Sequence, residues 1–217
     1  HGGGDALTAY LKKFGQNPSW IEGLRVTDAA TRDAAILVFR DTVGPELIKH
    51  LAAAGVSAVG IAGDEPVVMH VEQQAPELGF VGRVTRIDRV RLDELTANGH
   101  VPTIAPLGVG PDGEIYNVNG DEVAEAIART VHAAALLFLT DVPAVYDADG
   151  LPIHDLSARQ AVDLMEAGVI RDGMVPKVRA AIGLLGDVDS VWIADGRRPG
   201  VLRKALLESS AGTRIVS

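Results

Sequence analysis

Cysteine is absent from all 217 residues. That excludes a disulfide framework and thiolate chemistry, and it suits a reducing compartment. Long hydrophobic runs are missing too. No apolar stretch reaches the roughly 20 residues that a membrane span needs, and no charged-then-apolar signal opens the chain, so a cytoplasmic location away from membranes is expected. Positive charge is in short supply: 20 Lys and Arg stand against 29 Asp and Glu, a formal net charge of -9. A phosphate backbone would be repelled by that balance, which argues against general nucleic-acid binding. Small anions remain eligible ligands wherever cations or amide donors gather locally. There is no internal repeat and no low-complexity linker.

What is present is an ordinary globular composition, 47% hydrophobic and 23% charged, long enough for one α/β domain or two small lobes. Ala6, Leu7, Tyr10 and Leu11 recur at helical spacing, and Gly15 to Pro18 end that helix. The pattern from about Asp28 to His50, broken at Gly44-Pro45, predicts two consecutive helices. "SAVGIAG" (57–63) and "VPTIAPL" (101–107) read as buried strands. "VVMHV" and "FVGRVTRIDRV" read as a half-exposed antiparallel pair, followed by a short helix near Arg91 to Asn98. "EIYNV" is the hairpin partner of the strand before it, and "DEVAEAIARTVHAA" a helix. "ALLFLTDV" is the strongest strand signal, a continuous apolar run suited to the middle of a parallel sheet covered on both faces. Helices "SARQAVDLMEAG", "GMVPKVRAAIGLLG" and "GVLRKALLES" then alternate with strands "SVWIADG" and "TRIVS". Such alternation implies an α/β sandwich with a largely parallel sheet.

Several familiar patterns fail on context. "HGGG" at the start matches an esterase oxyanion loop, but no G-x-S-x-G nucleophile elbow accompanies it. "GVGPDG" (108–113) fits G-x-G-x-x-G, yet the strand-like "EIYNV" after it leaves no helix to receive a pyrophosphate, so a hairpin turn is predicted. No Walker-type G-x-x-x-x-G-K-[ST] occurs. The six histidines show no H-x-x-x-H spacing, which speaks against a dedicated transition-metal site. Arg83, Arg86, Arg89 and Arg91 form a basic strip best read as a solvated face.

Four segments place polar groups where a strand or helix meets a loop. "GLRVTD" sets Arg25 ahead of a helix whose N-cap is Thr27 or Asp28, where a guanidinium makes a good carboxylate clamp. "YNVNGDEVA" puts Asn117 and Asn119 on one strand face, with Asp121 opening the next helix. "LTDVPAV" carries Thr140 and Asp141 at the carboxyl end of a strand, the edge where α/β sheets bind ligands. "GMVPKVRAA" holds Lys177 in a first helical turn, where a cation opposes the dipole unless an anion sits before it. No nucleophilic Ser, Cys or His is evident. The set suits phosphoryl transfer to an acceptor that is already ionised, such as a carboxylate, because it supplies positioning and charge and needs no general base.

The ordered strings "HGGG", "GLRVTD", "GFVG", "YNVNGD", "LTDV", "GMVPK" and "GTRI", running from His1 to the last residues, resemble the acetylglutamate kinases of the amino acid kinase family. The resemblance implies a three-layer α/β/α sandwich as a single domain over residues 1–217. Its acceptor-binding lobe would cover about 1–120 and its nucleotide-binding lobe about 121–217. It further implies ATP-dependent phosphorylation of the side-chain carboxylate of N-acetyl-L-glutamate in arginine biosynthesis, usually by a homodimer or larger assembly. By position, Gly3 and Gly4 would approach the acetylglutamate and the transferring phosphoryl group. Arg25 and Asn117 would bind the substrate carboxylate, Asp121 would orient catalytic lysines, and Lys177 would stabilise the transferring phosphoryl group. Asp141, Val142, Pro143, Ala144, Val145 and Tyr146, with Val169, Ile170 and Arg171, would line the nucleotide site, with Mg bridging the ATP phosphates. The family's Lys-x-Gly-Gly strand is not in this sequence, so a longer native chain is expected, with a βα unit of roughly 30 residues upstream. "GIAGDEPVVMHV" lacks the Gly-Lys-Asp-Gly pattern of many members. "ADGR" also occurs in the related kinase for carrier-protein-bound aminoadipate, which typically lacks "GLRVTD" and is the second reading. A non-catalytic ligand-binding remnant is the third.

Overall fold

The computed structural model describes residues 1–63, 67–208 and 210–217, so part of the "GIAGDEPVVMHV" segment lies outside the described residues. The chain divides into two compact units, His1–Ala126 and Ile127–Ser217.

In the first unit, α1 (Gly4–Lys13) buries Leu7 and Leu11, each 1% exposed, as their helical spacing predicts. A minimal hairpin follows, β1 (Trp20–Ile21) and β2 (Leu24–Arg25), closed by Glu22 and Gly23. Both turn residues have positive φ, 50° and 82°, the two-residue geometry that matches the twist of paired strands. Asp28 caps α2 (Ala29–Val38): its carboxylate accepts the Thr31 amide at 2.8 Å, and these Thr31 bonds hold the Asp28 pKa below the usual carboxylate value.

The predicted break before Pro45 takes a particular form. A wide π turn, Phe39–Val43, joins α2 to α3 (Gly44–Ala53) without a loop. Proline has no amide to donate and its ring crowds the preceding turn, and a widened turn absorbs both.

Next come β3 (Ala58–Ile61), β4 (Met69–Gln73), β5 (Val81–Ile87), α4 (Arg89–Ala97), β6 (Val101–Ile104), β7 (Leu107–Val109) and β8 (Ile115–Val118). β3 and β6 pair in parallel, Ala58 with Val101 through Ile61 with Ile104. Strands β4, β5, β8 and β7 close a small barrel in which β4–β5 and β7–β8 are antiparallel. "GVGPDG" is the β7–β8 turn: Gly110 N donates to Glu114 O at 2.9 Å, and Gly113 N to Gly110 O at 3.0 Å. One aliphatic cluster, including Leu7, Leu11, Ala35, Val38, Phe39 and Leu107, packs α1 and α2 together, and each such buried Leu or Val contributes about 1.5–3 kcal/mol. Three of the four arginines of the basic strip pair with carboxylates, Arg83 with Glu72, Arg89 with Asp93 and Arg91 with Glu94, while Arg86 Nη2 meets His70 Nε2 at 2.5 Å.

Helix α5 (Gly120–Val131) begins in the first unit and ends in the second. The second unit holds β9 (Ala135–Thr140), β10 (Asp155–Ser157), α6 (Ala158–Glu166), α7 (Met174–Gly183), β11 (Ser190–Asp195), α8 (Val201–Glu208) and β12 (Thr213–Val216). A full capping box, Ser157 with Gln160, starts α6. The sheet order is β10-β12-β11-β9, parallel at β10–β12 and β9–β11 and antiparallel at β11–β12. The apolar run "ALLFLT" therefore ends this sheet and does not sit at its middle. β12 and β11 are the interior strands, and β11 has Val191, Ile193 and Ala194 at 0% exposure, whereas Leu139 of β9 is 47% exposed. A run of apolar residues records affinity for a sheet and not the strand's place in it. Among the described residues, no helix is long and apolar enough to cross a membrane.

Candidate active site

A cavity of about 200 Å³ in the first unit is lined by Gly2, Gly3, Gly4, Leu7, Trp20, Gly23, Leu24, Arg25, Phe39, Val81, Pro106, Asn117, Val118, Asn119 and Gly120. It gathers the predicted residues Gly3, Gly4, Arg25 and Asn117, together with Asn119, at one place. Gly3 is the N-cap of α1, with no side-chain cap. The first amides of a helix have no intrahelical acceptor and carry the positive end of its dipole. The glycine run thus lines the hollow with main-chain donors. The loop is anchored by His1, whose main-chain nitrogen donates to Ile104 O at the end of β6 (2.8 Å). A side chain at Gly3 is ruled out by packing: a Cβ there would stand 2.7 Å from both Cδ1 and Cε1 of Phe39.

Arg25 reaches the first two turns of α1 and not the helix it precedes. Its Nη2 donates to Gly4 O (3.1 Å) and to Thr8 Oγ1 (2.8 Å). The other terminal nitrogen, Nη1, is buried with no hydrogen-bond partner among the described residues. Burial pushes the Arg25 pKa down, while the Asp5 carboxylate pushes it up. A buried guanidinium nitrogen without an acceptor is costly, and a guanidinium lining a cavity makes charge-assisted bonds to an anion.

The strings "GLRVTD" and "GFVG" are stitched together beneath this wall. Thr27, 0% exposed, donates its amide to Leu78 O (2.9 Å) and accepts the Phe80 amide (2.7 Å). Gly79 has φ 69°, and a Cβ there would lie 2.4 Å from Thr27 O, so only glycine allows the approach. Asn117 Nδ2 donates to Thr27 Oγ1 at 3.3 Å. Asn119 Oδ1 accepts the Asp121 amide at 2.8 Å, so the asparagine opens α5 and Asp121 follows in its first turn.

Lys177 lies in the second unit, half-buried as the fourth residue of α7, whose N-cap Gly173 offers no side-chain cap. The segment 141–146 leaves the end of β9. Pro143, Ala144 and Tyr146 line a second cavity of about 410 Å³ with Pro152, Ile153, His154, Arg198 and Gly212. Asp141, Val142, Val145, Val169, Ile170, Arg171 and Lys177 are not among its lining residues. Val145 and Ile170 are core side chains, 2% and 4% exposed.

Some supporting residues carry no signal in a single sequence. Asp195, its side chain 7% exposed, binds Arg197 Nε at 2.9 Å, and Arg197 Nη2 donates to the Asp141 carbonyl. Gly196 N adds a bond to Thr140 O (2.9 Å). Thr213 of "GTRI" accepts the Val145 amide (2.8 Å) and donates to Ile153 O (2.6 Å). The strings "ADGR" and "GTRI" stand out in the sequence; their work as clamps on 140–146 is visible only in three dimensions. Glu122 is a further case. Burial pushes its pKa up, although the Val84 amide donated to it (2.7 Å) acts in the opposite direction.

Residues 1–195 match the amino acid kinase family. An acetylglutamate kinase of Solibacter usitatus is 41% identical over 218 residues, covering all of this chain and 85% of that one. Another, from Koribacter versatilis, is 39% identical over 222 residues, again with full coverage here and 85% there. A crystal structure from Streptococcus mutans UA159 superposes with a TM-score of 0.89 at 29% identity, over all of this chain and 84% of the other. The chain belongs to the amino acid kinase family.

Proposed function

We propose that the protein is an acetylglutamate kinase, transferring the γ-phosphoryl group of ATP to the side-chain carboxylate of N-acetyl-L-glutamate and yielding an acyl phosphate for arginine biosynthesis. The carrying observation is the convergence of Arg25, Asn117 and the uncapped glycine start of α1 on one cavity. Those donors suit an acid with more than one carboxylate. Arg25 and Asn117 hold the substrate's non-reacting carboxylate, and the amides around Gly3 and Gly4 face the reacting end. The acceptor oxygen arrives ionised, so it attacks the γ-phosphorus directly while the bond to the β,γ-bridging oxygen breaks and ADP departs. Lys177 stabilises charge on the transferring group and Asp121 orients the cationic side chains. The nucleotide lies along 141–146 and 169–171. Mg arrives on the ATP phosphates as part of that substrate; among the described residues, no group of three or more His, Asp or Glu side chains stands ready to hold an ion. A homodimer or larger homo-oligomer and a cytoplasmic location complete the reading.

Relatives named acetylglutamate kinase at 39–41% identity support the choice of acceptor over carrier-bound aminoadipate. The test is a coupled ADP-release assay on the full-length protein with N-acetyl-L-glutamate, N-acetyl-L-aspartate and free aminoadipate in parallel. Saturable release with N-acetyl-L-glutamate is expected, and its absence overturns the reading.

A further inference from the structure

We propose that Trp20 is the positioning residue of the acceptor cavity: its indole holds the Arg25 guanidinium in place, so acceptor affinity depends on an aromatic ring at this position. The inference rests on the acceptor site proposed above and adds to it a residue that no motif contains.

The hairpin sets the geometry. A two-residue turn fixes strand register, and here that register sets Trp20 directly opposite Arg25, with Ile21 opposite Leu24. Directly opposed residues project from the same face of the ribbon, so the two side chains are neighbours by construction. The Arg25 Cζ lies 4.9 Å from the centroid of the Trp20 ring, within the range of cation–π attraction. Both residues line the 200 Å³ cavity.

Trp20 has no evident task in the core. It is 51% exposed, and an indole left half in water is an unusual choice for a two-residue strand with nothing to fill. The guanidinium, by contrast, is held on two sides. Nη2 is tied to Gly4 O and Thr8 Oγ1, and Cζ sits over the indole ring. A planar group tied at one nitrogen and held against a ring has few orientations left, and its Nη1 has no hydrogen-bond partner among the described residues. Taking away the ring frees the guanidinium to turn and admits water beside it, and both effects weaken a charge-assisted bond to a carboxylate. The chemistry at the phosphorus is untouched, so the loss belongs in acceptor binding.

The experiment compares Trp20→Leu and Trp20→Phe with the full-length wild-type protein, by steady-state kinetics and by calorimetry of N-acetyl-L-glutamate without nucleotide. Leucine keeps an apolar side chain and removes the π face. Trp20→Leu is expected to raise the acceptor KM and Kd about tenfold, within the strength of a partly desolvated cation–π pair, with kcat and the KM for ATP unchanged. Trp20→Phe should recover most of that loss. Ile21→Ala, which alters the other exposed apolar residue of the hairpin, 41% exposed, should leave acceptor binding as it was. Ligand-dependent tryptophan emission gives an independent signature: Trp20 lines the cavity whereas Trp192 is 2% exposed, so the change on adding N-acetyl-L-glutamate should fall in Trp20→Phe. Wild-type acceptor binding in Trp20→Leu, an equal loss in Trp20→Phe, or a parallel fall in kcat and ATP binding would each overturn the proposal while leaving the kinase reading intact. A wild-type protein that binds no N-acetyl-L-glutamate overturns both.

Discussion

Adding one methyl group at Gly3 and one at Gly4 separates packing from chemistry in adjacent residues. A Cβ at Gly3 would lie 2.7 Å from two carbons of the Phe39 ring and 3.5 Å from Val43 Cγ2. Carbon atoms rest at about 3.5–4.0 Å, so something must move by about 1 Å. Phe39 is 3% exposed and wedged in the α1–α2 cluster, so the glycine loop yields instead. Overpacking of this kind costs about 1–3 kcal/mol, which for a chain of this size lowers the melting temperature by about 2–12 °C. A displacement of about 1 Å at a donor facing the reacting group lowers kcat by up to about 100-fold. At Gly4, no atom lies within 4 Å of the added Cβ, and alanine is the better residue for the first turn of α1. Gly4→Ala should therefore melt at or above the wild type while its methyl group intrudes on the cavity and impairs turnover. Differential scanning calorimetry beside the ADP-release assay reads both quantities. A Gly3→Ala protein as stable as the wild type, or a Gly4→Ala protein of full activity, would refute the placement of this loop.

Further perturbations address the other groups. Arg25→Gln should raise the acceptor KM about 10- to 150-fold, the worth of a hydrogen bond to a charged group, with the KM for ATP unchanged in the same titration. Lys177→Ala should lower kcat by about 10²–10³-fold with little change in either KM, as expected for a group acting on the transition state; equal losses in both would assign it to binding. Glu122 bears on pH. Burial raises its pKa above the ordinary 4.5, so the folded chain keeps that proton longer than the unfolded one, and this group's contribution to stability falls as pH rises through the raised value. Glu122→Gln retains an acceptor for the Val84 amide without the buried charge. Its melting temperature should exceed the wild type's at pH 8, and the gap should close as pH falls toward 4.5; a gap independent of pH would show that Glu122 does not titrate as described.

The elements were legible wherever side-chain periodicity and turn chemistry act locally. Leu7 and Leu11 at helical spacing, Asp28 as a cap and Gly110 to Gly113 as a hairpin turn each follow from neighbours a few residues apart. Strand order was not legible, because an apolar run such as "ALLFLT" has the same composition inside a sheet or at its end. The acceptor cavity was half legible. Arg25 and Asn117 stood out as polar groups at strand ends, whereas Thr8, Thr27 and Trp20 gain their meaning from cross-strand register and long-range hydrogen bonds that no local pattern encodes. Asp195 and Arg197 are a similar case, since the Asp141 carbonyl they secure is more than fifty positions away in the chain.

The π turn at Phe39–Val43 has a consequence for how this segment tolerates change in length. A π turn holds one residue more than a regular helical turn, so deleting any one of these five would let α2 and α3 merge into a single regular helix. The merged helix would keep α3 at nearly its present rotation about the axis, so Ile48 and its neighbours would face much as they do now, but it would leave Pro45 inside a regular helix with no widened turn to relieve its ring. The surplus residue thus accommodates the proline, and a shorter segment would be tolerated best if Pro45 were replaced at the same time.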